Sequence, residues 1–580
     1  MSTTALEPAP RPPGMTLIPE RVSRLQGDTR RKKQRITGWT REGLTVFGLF
    51  AILYVALGYH VIIDQHVVVF DATARLAHAF FVLWNAPPKL AAIGFVWAPI
   101  STLIFIPFVA FKAMGSSLLA LPLCSGLFAA LLMTILYRTT VYMGMRWYQR
   151  IPIIALFGLN PMILFYAVNG MSETSYLALL SAATLFFVRW YRTNEPHLLA
   201  LTATTLTIAF LDRYELFAFA VIVAFAVPVT LMLRRRSGLE IEGSVLSFLA
   251  PVIYGVGLWV FFNYVILGDP LFWLKNQTPG ATNGAQHSTQ VVQHIPTGEL
   301  ARRVLDLNYS LFPLVVFVVP CLLVAAALRR NLMALWLALL CCANAVSTFL
   351  LIYQSGAQGL MQLRYNMRAM PLVIVGAAWL FYLGRARLTR WLVWAATVAM
   401  LALSLPVTWH TMQTYPAQYE ENVFVRALSQ GGDQEASSSI GSYYVGNEPD
   451  RDMARFITQH VPLHEDAILT DDGQTFGVML ASGRPDVFLD RIDKGDAVWK
   501  RLLERPHGRV TYILVARFAP GLDEVQRRYP SMLSQALPGS WVVYANSRYV
   551  LYGVARRRPH SRLTHFDRAI QVLARGSTSI

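Results

Sequence analysis

Residues 95–111 read FVWAPISTLIFIPFVAF, a stretch apolar enough to cross a bilayer yet interrupted by Pro99 and Pro107. A spanning helix needs about 20 apolar residues, and proline breaks the backbone ladder that lipid requires to be complete. The side on which every later loop falls depends on this stretch. If it crosses, Arg138, Arg146, Arg150, Arg189 and Arg192 land outside the cell. If it lies in the interface as a broken helix, those arginines stay on the cytoplasmic side, where Lys and Arg accumulate. The second arrangement is expected here.

Spans are then expected at 44–62, 118–137, 151–168, 175–190, 197–211, 215–233, 245–266, 310–328, 331–353, 368–384 and 391–407, eleven in all. The cytoplasmic segments hold 22 Lys and Arg, and the outer loops before residue 410 hold eight. That bias places the N-terminus in the cytoplasm and the C-terminus outside, in a multi-pass protein of the plasma membrane. Only 15% of the 580 residues are charged and 54% are hydrophobic, so a set of soluble domains is excluded. The net charge of +17 sits beside the apolar runs and reports topology, not nucleic acid. Cys124, Cys321, Cys341 and Cys342 all fall in apolar runs, which leaves no disulfide framework and no cysteine zinc site.

Four regions follow. Residues 1–43 form a basic cytoplasmic segment, expected to be disordered, and the run after it reads as a signal anchor. Residues 44–409 form the membrane domain, with 63–117 as a first outer loop carrying interfacial helices. Residues 410–555 alternate between a helix at 450–460 and strands at 467–472, 486–490, 510–515, 541–546 and 549–555. That alternation predicts an extracytoplasmic α/β domain with a mainly parallel sheet. It contains no glycine-rich phosphate loop. Residues 556–580 are a basic tail.

Ionisable groups near membrane depth cost about 2.5–3.5 kcal/mol each at a helix centre, so those retained tend to mark function. Five clusters fall on the outer side. The first loop holds Asp64, His66 and FDATARLAHAF (70–80), where helical spacing puts Asp71, Arg75 and His78 on one face. The bland alternative is an Asp71–Arg75 ion pair worth about 0.3–0.5 kcal/mol. NPMILFYAVNGMSE (160–173) brings Asn169, Ser172 and Glu173 to the mouth of a span, although Glu173 also suits a helix N-terminus. Asp212, Arg213, Tyr214 and Glu215 form a short charged turn. GDPLFWL (268–274) opens a long loop with Trp273, followed by Gln286, His287 and Gln290; aromatic residues at an interface are ordinary. LRYNMRAMP (363–371) supplies Arg364, Tyr365 and Arg368. An arginine there either grips an anionic phosphate or snorkels to lipid headgroups.

In order and sidedness these motifs, FDATAR, PPKLAAIGFVWAPI (87–100), NPMILFYAVNGMSE, DRYE, GDPLFWL and LRYNMRAMP, resemble the GT-C glycosyltransferases that use polyprenyl-phosphate sugars. The likeness covers roughly residues 40–410. It implies a GT-C-like membrane domain of a mannosyl- or arabinosyltransferase kind, acting in cell wall biogenesis. The implied substrates are a polyprenyl-phosphate-linked sugar donor and a glycan, lipid or protein acceptor, in contact with membrane lipids. By the same resemblance Asp71 is the general base, and Glu173 either orients the sugar or assists the base. Arg364, Arg213 and Arg368 take the donor phosphate, and transfer inverts the anomeric centre. Arg75, His78, Asn169, Glu215, Trp273, His287 and Tyr365 are the expected substrate contacts. Many members carry an acidic pair in the first loop, whereas Ala72 follows Asp71 here, which leaves Asp64 as a rival base. No cofactor is required; a divalent metal is open, though no His/Cys cluster has ligand spacing. The alternatives are a transporter or flippase of a lipid-linked sugar, which would favour internal repeats, and a non-catalytic scaffold.

Overall fold

The computed structural model describes residues 40–94, 97–275, 296–355, 361–415, 419–430, 446–460, 467–491, 496–517 and 523–555. The basic segments at both ends and His287 lie outside the described residues.

Each of the eleven expected spans coincides with a helix or a bent helix pair. Seven are long and apolar enough to cross a membrane: Arg41–Asp64, Ala120–Tyr142, Tyr214–Leu233, Gly238–Leu267, Leu332–Leu350, Leu363–Leu383 and Arg387–Thr414. Two bent pairs raise the number among the described residues to nine. Trp147–Gly158 and Pro161–Val168 meet at 66°, and Thr297–Leu311 and Leu314–Arg329 at 109°. Proline sits at each break. Pro161 has no N–H to continue the ladder, and the Asn160 side chain caps the second half by accepting from the Met162 N–H at 3.1 Å. The remaining two expected spans are the helices Glu173–Thr193 and Pro196–Asp212. The first opens on a glutamate and ends among arginines, and the second has only 17 residues, so neither crosses by length and composition alone.

The stretch 97–116 is broken as its prolines require. It forms three short helices, Ile100–Leu103, Ile106–Val109 and Lys112–Ser116. They pack on the first-loop helix Phe70–Trp84, here α1. Trp84 Nε1 donates to the Val109 carbonyl at 2.9 Å, and Gly115 lies so close to Phe80 that a Cβ would come within 2.6 Å of its ring. Helix α1 is therefore enclosed along most of its length, with Ala72, Leu76, Ala77, Phe80 and Phe81 fully buried. The helix Glu173–Thr193 is α2, and Tyr419–Gln430, directly after the last long helix, is α3.

The C-terminal domain carries helices α4 (Glu448–His460) and α5 (Asp472–Ser482). Its strands are β1 (Ile468–Leu469), β2 (Phe488–Leu489), β3 (Tyr512–Ala516), β4 (Ser540–Ala545) and β5 (Tyr549–Val554). All five expected strands are present, in the order β2-β1-β3-β5-β4. The sheet is mixed, not mainly parallel: β1 runs parallel to β2 and β3, while β5 runs antiparallel to β3 and β4. The short β4–β5 turn imposes this, because only antiparallel neighbours are joined so tightly. Both faces of the sheet are covered. Ile513, Val515, Val550 and Tyr552 pack with Trp499, Val525 and Met532. Leu514, Ala516, Tyr549 and Leu551 face the other way, into a core continuous with α1 and the membrane helices. Phe70 of α1 meets Phe476 of α5 edge to face at 4.8 Å.

Candidate functional site

The polar residues of the sequence clusters converge at the ends of their helices. Asp71 lies in the first turn of α1, where the helix dipole favours a carboxylate. Its Oδ2 accepts a hydrogen bond from Arg364 Nη1 at 3.0 Å, with the two side chains only 12% and 8% exposed. Arg364 stands on a short turn, Leu363–Asn366, that Asn366 fixes. The Asn366 side-chain oxygen accepts from Asn308 at 3.3 Å and Asn344 at 3.2 Å, and its amide donates to the Gln362 carbonyl at 3.1 Å.

The turn at 212–215 supplies the second ion pair. Arg213 Nη1 donates to Glu173 Oε1 at 2.6 Å and Nη2 to Glu215 Oε1 at 3.1 Å. Its guanidinium also lies over the rings of Tyr176 and Tyr365, at 5.3 and 5.4 Å. Tyr365 faces Arg364 as well, at 5.3 Å, so one aromatic ring joins the two arginines. Arg368 is buried and its Nε and Nη2 donate to the Tyr365 carbonyl at 2.9 and 2.6 Å. The neighbouring Asp212 accepts from the Ser175 hydroxyl.

Spacing on α1 predicts one shared face for Asp71, Arg75 and His78, but the three diverge to different partners. No Asp71–Arg75 ion pair forms. Arg75 reaches Ser172 Oγ at 3.3 Å and Met171 Sδ at 3.6 Å, with Trp97 at 5.6 Å. His78 has its Nδ1 2.9 Å from the Ala92 carbonyl oxygen and packs edge-on to Phe81 and Trp97. Burial lowers its pKa, opposed by the charge of Asp472 from the C-terminal domain. Asn169 turns its oxygen to the Met171 N–H at 2.9 Å. Trp273 packs at a tilt on Tyr214 at 4.9 Å and edge to face on Phe210 at 5.7 Å, which places it beside the charged turn. Asp64 is not brought to the cluster. It is about half exposed, 49%, and pairs with His60 one helical turn away at 3.2 Å.

Two carboxylates escaped the sequence reading. Glu420 and Glu421 open α3. Glu421 is fully buried and accepts from the Tyr166 hydroxyl at 2.7 Å. Glu420 feels the charges of Arg364, Asp71 and Glu173; burial pushes its carboxyl up to about 8, with Arg364 opposing and Glu421 and Asp71 reinforcing. Burial also raises Glu421, against its hydrogen bond from Tyr166. An acidic pair just past the last apolar run reads in sequence as ordinary soluble surface, so no local signal set them apart.

Most buried polar atoms in proteins are hydrogen-bonded. Here Glu173 Oε2, Glu421 Oε2, Arg75 Nε, Arg364 Nε, Arg368 Nη1 and Asn169 Nδ2 are all buried without a hydrogen-bond partner among the described residues. Donors and acceptors of both signs thus stand ready for a polar, anionic ligand. No group of three or more His, Cys, Asp or Glu among the described residues is arranged to hold a metal ion, so the divalent ion left open by the sequence has no ligand set there.

No protein-family model matches the chain, and no curated protein matches it. Solved structures do. ArnT from Cupriavidus metallidurans, bound to undecaprenyl phosphate, is similar at a TM-score of 0.51 and 13% identity, over 88% of this chain and 98% of that one. Its apo state gives 0.51 at 12% identity over the same shares, 88% and 98%. The archaeal oligosaccharyltransferase AglB from Archaeoglobus fulgidus, in complex with an inhibitory peptide and a dolichol-phosphate, gives 0.46 at 10% identity over 82% of this chain and 69% of that one. At such identities the likeness speaks to architecture alone, and with ArnT it runs almost from end to end: the chain shares that fold, here a polytopic helical membrane domain followed by a small α/β domain.

Proposed function

We propose that this chain is a membrane glycosyltransferase that moves a sugar from a polyprenyl-phosphate donor to an envelope glycan, lipid or protein acceptor. The resemblance is to mannosyl- and arabinosyltransferases, and mannose, arabinofuranose, galactose or another sugar is the group moved. The observation that carries this reading is the buried contact of Asp71 with Arg364, 3.0 Å apart across 293 positions of sequence. It joins the residue expected to be the base to the one expected to hold the phosphate. The undecaprenyl phosphate in ArnT supports a lipid-linked donor.

The chemistry follows from these side chains. The acceptor hydroxyl attacks the anomeric carbon from the face opposite the leaving group, so configuration inverts. Asp71 takes the hydroxyl proton as the new bond forms. The polyprenyl phosphate departs with the electron pair of the broken C–O bond, and Arg364 is a fixed cation beside the developing charge. Arg213 and Arg368 flank it through Tyr365. Glu173 holds Arg213 in place and offers its unpartnered Oε2 to a sugar hydroxyl, while Asn169, Glu215, Arg75 and Trp273 are the further substrate contacts of this proposal. The reaction is placed on the extracytoplasmic face, with the C-terminal domain beside it as an acceptor platform.

Transfer from a radiolabelled polyprenyl-phosphate sugar in membranes tests the assignment. Asp71→Asn is expected to abolish transfer and Asp64→Asn to spare it; undiminished transfer in Asp71→Asn overturns the base. A cysteine at Ser547, exposed in the β4–β5 turn, is expected to react with an impermeant reagent in intact cells. Protection there overturns the sidedness.

A further inference from the structure

On the reading that Arg364 takes the donor phosphate, we infer that the Asp71–Arg364 ion pair is a donor-released latch on the catalytic base. Without donor, Arg364 holds the Asp71 carboxylate. The donor's phosphate replaces that carboxylate on the guanidinium and frees Asp71 to accept a proton.

The Arg364 guanidinium occupies Asp71 Oδ2, and among the described residues this is the one side-chain hydrogen bond of that carboxylate. While it does so, an acceptor hydroxyl cannot hand its proton to that oxygen. The contact is incomplete from the arginine's side. Only Nη1 is engaged, and Nε is buried without a partner. Helix α1 cannot shift to serve it, since its neighbours Ala72, Ala74 and Leu76 are packed at 0–1% exposure. A phosphate offers more charged oxygens than one carboxylate edge and suits a guanidinium at least as well.

The exchange needs no backbone movement. The Leu363–Asn366 turn is tied to Asn308 and Asn344, and the Tyr176 hydroxyl reaches the Arg364 carbonyl at 3.5 Å. The guanidinium pivots over Tyr365 while its backbone stays fixed. The latch orders the reaction: an acceptor that arrives first meets a base that is still occupied.

One consequence separates this device from a merely structural ion pair. If carboxylate and phosphate compete for one guanidinium, the variant that loses catalysis gains donor affinity. The test is binding of undecaprenyl phosphate to the full-length chain in detergent, for the native protein, Asp71→Asn, Arg364→Gln and the double variant, with thermal melting to confirm folding. Asp71→Asn is expected to bind about tenfold tighter, the scale of one charge-assisted hydrogen bond. Arg364→Gln is expected to bind more weakly, and adding Asp71→Asn to it to restore nothing. Asp71→Ser gives a second route to the same comparison if the amide retains part of the contact. Unchanged or weaker binding in both Asp71 variants, with weaker binding in Arg364→Gln, overturns the latch and leaves the glycosyltransferase reading standing. Unchanged binding in Arg364→Gln overturns the phosphate role of Arg364 and the latch with it.

Discussion

Arg364 in the membrane domain and Arg491 in the C-terminal domain are both arginines held by carboxylates at the ends of secondary-structure elements, and they are finished differently. Arg491 pairs with three carboxylates: Nη2 donates to Asp471 at 3.0 Å and Nη1 to Glu524 at 3.1 Å, while Nε lies 3.5 Å from Asp472, whose Oδ1 is buried without a hydrogen bond among the described residues. Asp471 is in turn closed, accepting from the Gly473 N–H at 3.1 Å and the Glu524 N–H at 2.8 Å. That network ties the end of β1 to the starts of α5 and the Glu524–Arg528 helix. Arg364 uses one nitrogen and leaves another buried and unmet, among neighbours that do the same. Equal chemistry thus serves two ends. A closed network holds a fold, and an open one holds a place for something that binds.

The widest separation between the two regions is expected in activity. Asp71→Asn should lower transfer about 100- to 10,000-fold, the range for loss of a general base, with little change in melting temperature. Arg491→Gln should do the reverse: it leaves Asp471 and Asp472 without their cation, Glu524 keeping Arg527 at 3.3 Å, costs about 3–5 kcal/mol of stability, and keeps transfer per folded molecule within about twofold. Denaturation and turnover measured on the same preparations decide whether the contrast holds. Asp523→Ala sharpens the closed side. Asp523 accepts from the N–H groups of Val525 and Gln526 at 2.8 and 3.1 Å and of Ala516 at 3.0 Å. Its loss should cost about 2 kcal/mol, read from the denaturation midpoint.

The smallest effect lies on the open side and depends on pH. Glu420, raised to about 8 by burial, is protonated at neutral pH. Above that value it becomes a new negative charge facing Asp71 and the incoming phosphate. Transfer should therefore fall about tenfold as pH rises from 7 to 9, and Glu420→Gln should flatten the fall. Stability falls with the same sign but in a lower window: the contribution of Glu420 is full below its free value of 4.5, is lost as pH rises from there to about 8, and changes no further above it. An unchanged profile in Glu420→Gln would remove Glu420 from the site.

Hydropathy made the helical domain legible, because lipid demands long apolar helices and each expected run is helical. It overcounted self-sufficient spans: Glu173–Thr193 and Pro196–Asp212 owe their apolar environment to neighbours as much as to their own residues. The convergence of Asp71, Glu173, Arg213, Glu215 and Arg364 was also legible, since charges retained at one end of several spans have few places to go. Their pairing was not. Periodicity on α1 suggested Asp71 with Arg75, whereas each found a partner far along the chain. Glu420 and Glu421 were illegible for a different reason. Beyond the last span, a polar helix reads as an ordinary soluble surface, and nothing local says that it folds back over Tyr166.

The two-faced sheet of the C-terminal domain has a practical consequence. One face is sealed within the domain, but the other shares its core with α1, through contacts such as Phe70 with Phe476. A fragment cut free at residue 446 would strip α1 from the outer side of α5 and turn Phe476 toward water. Such a piece is expected to aggregate, so antibodies or crystals of this region call for the whole chain in detergent or nanodisc.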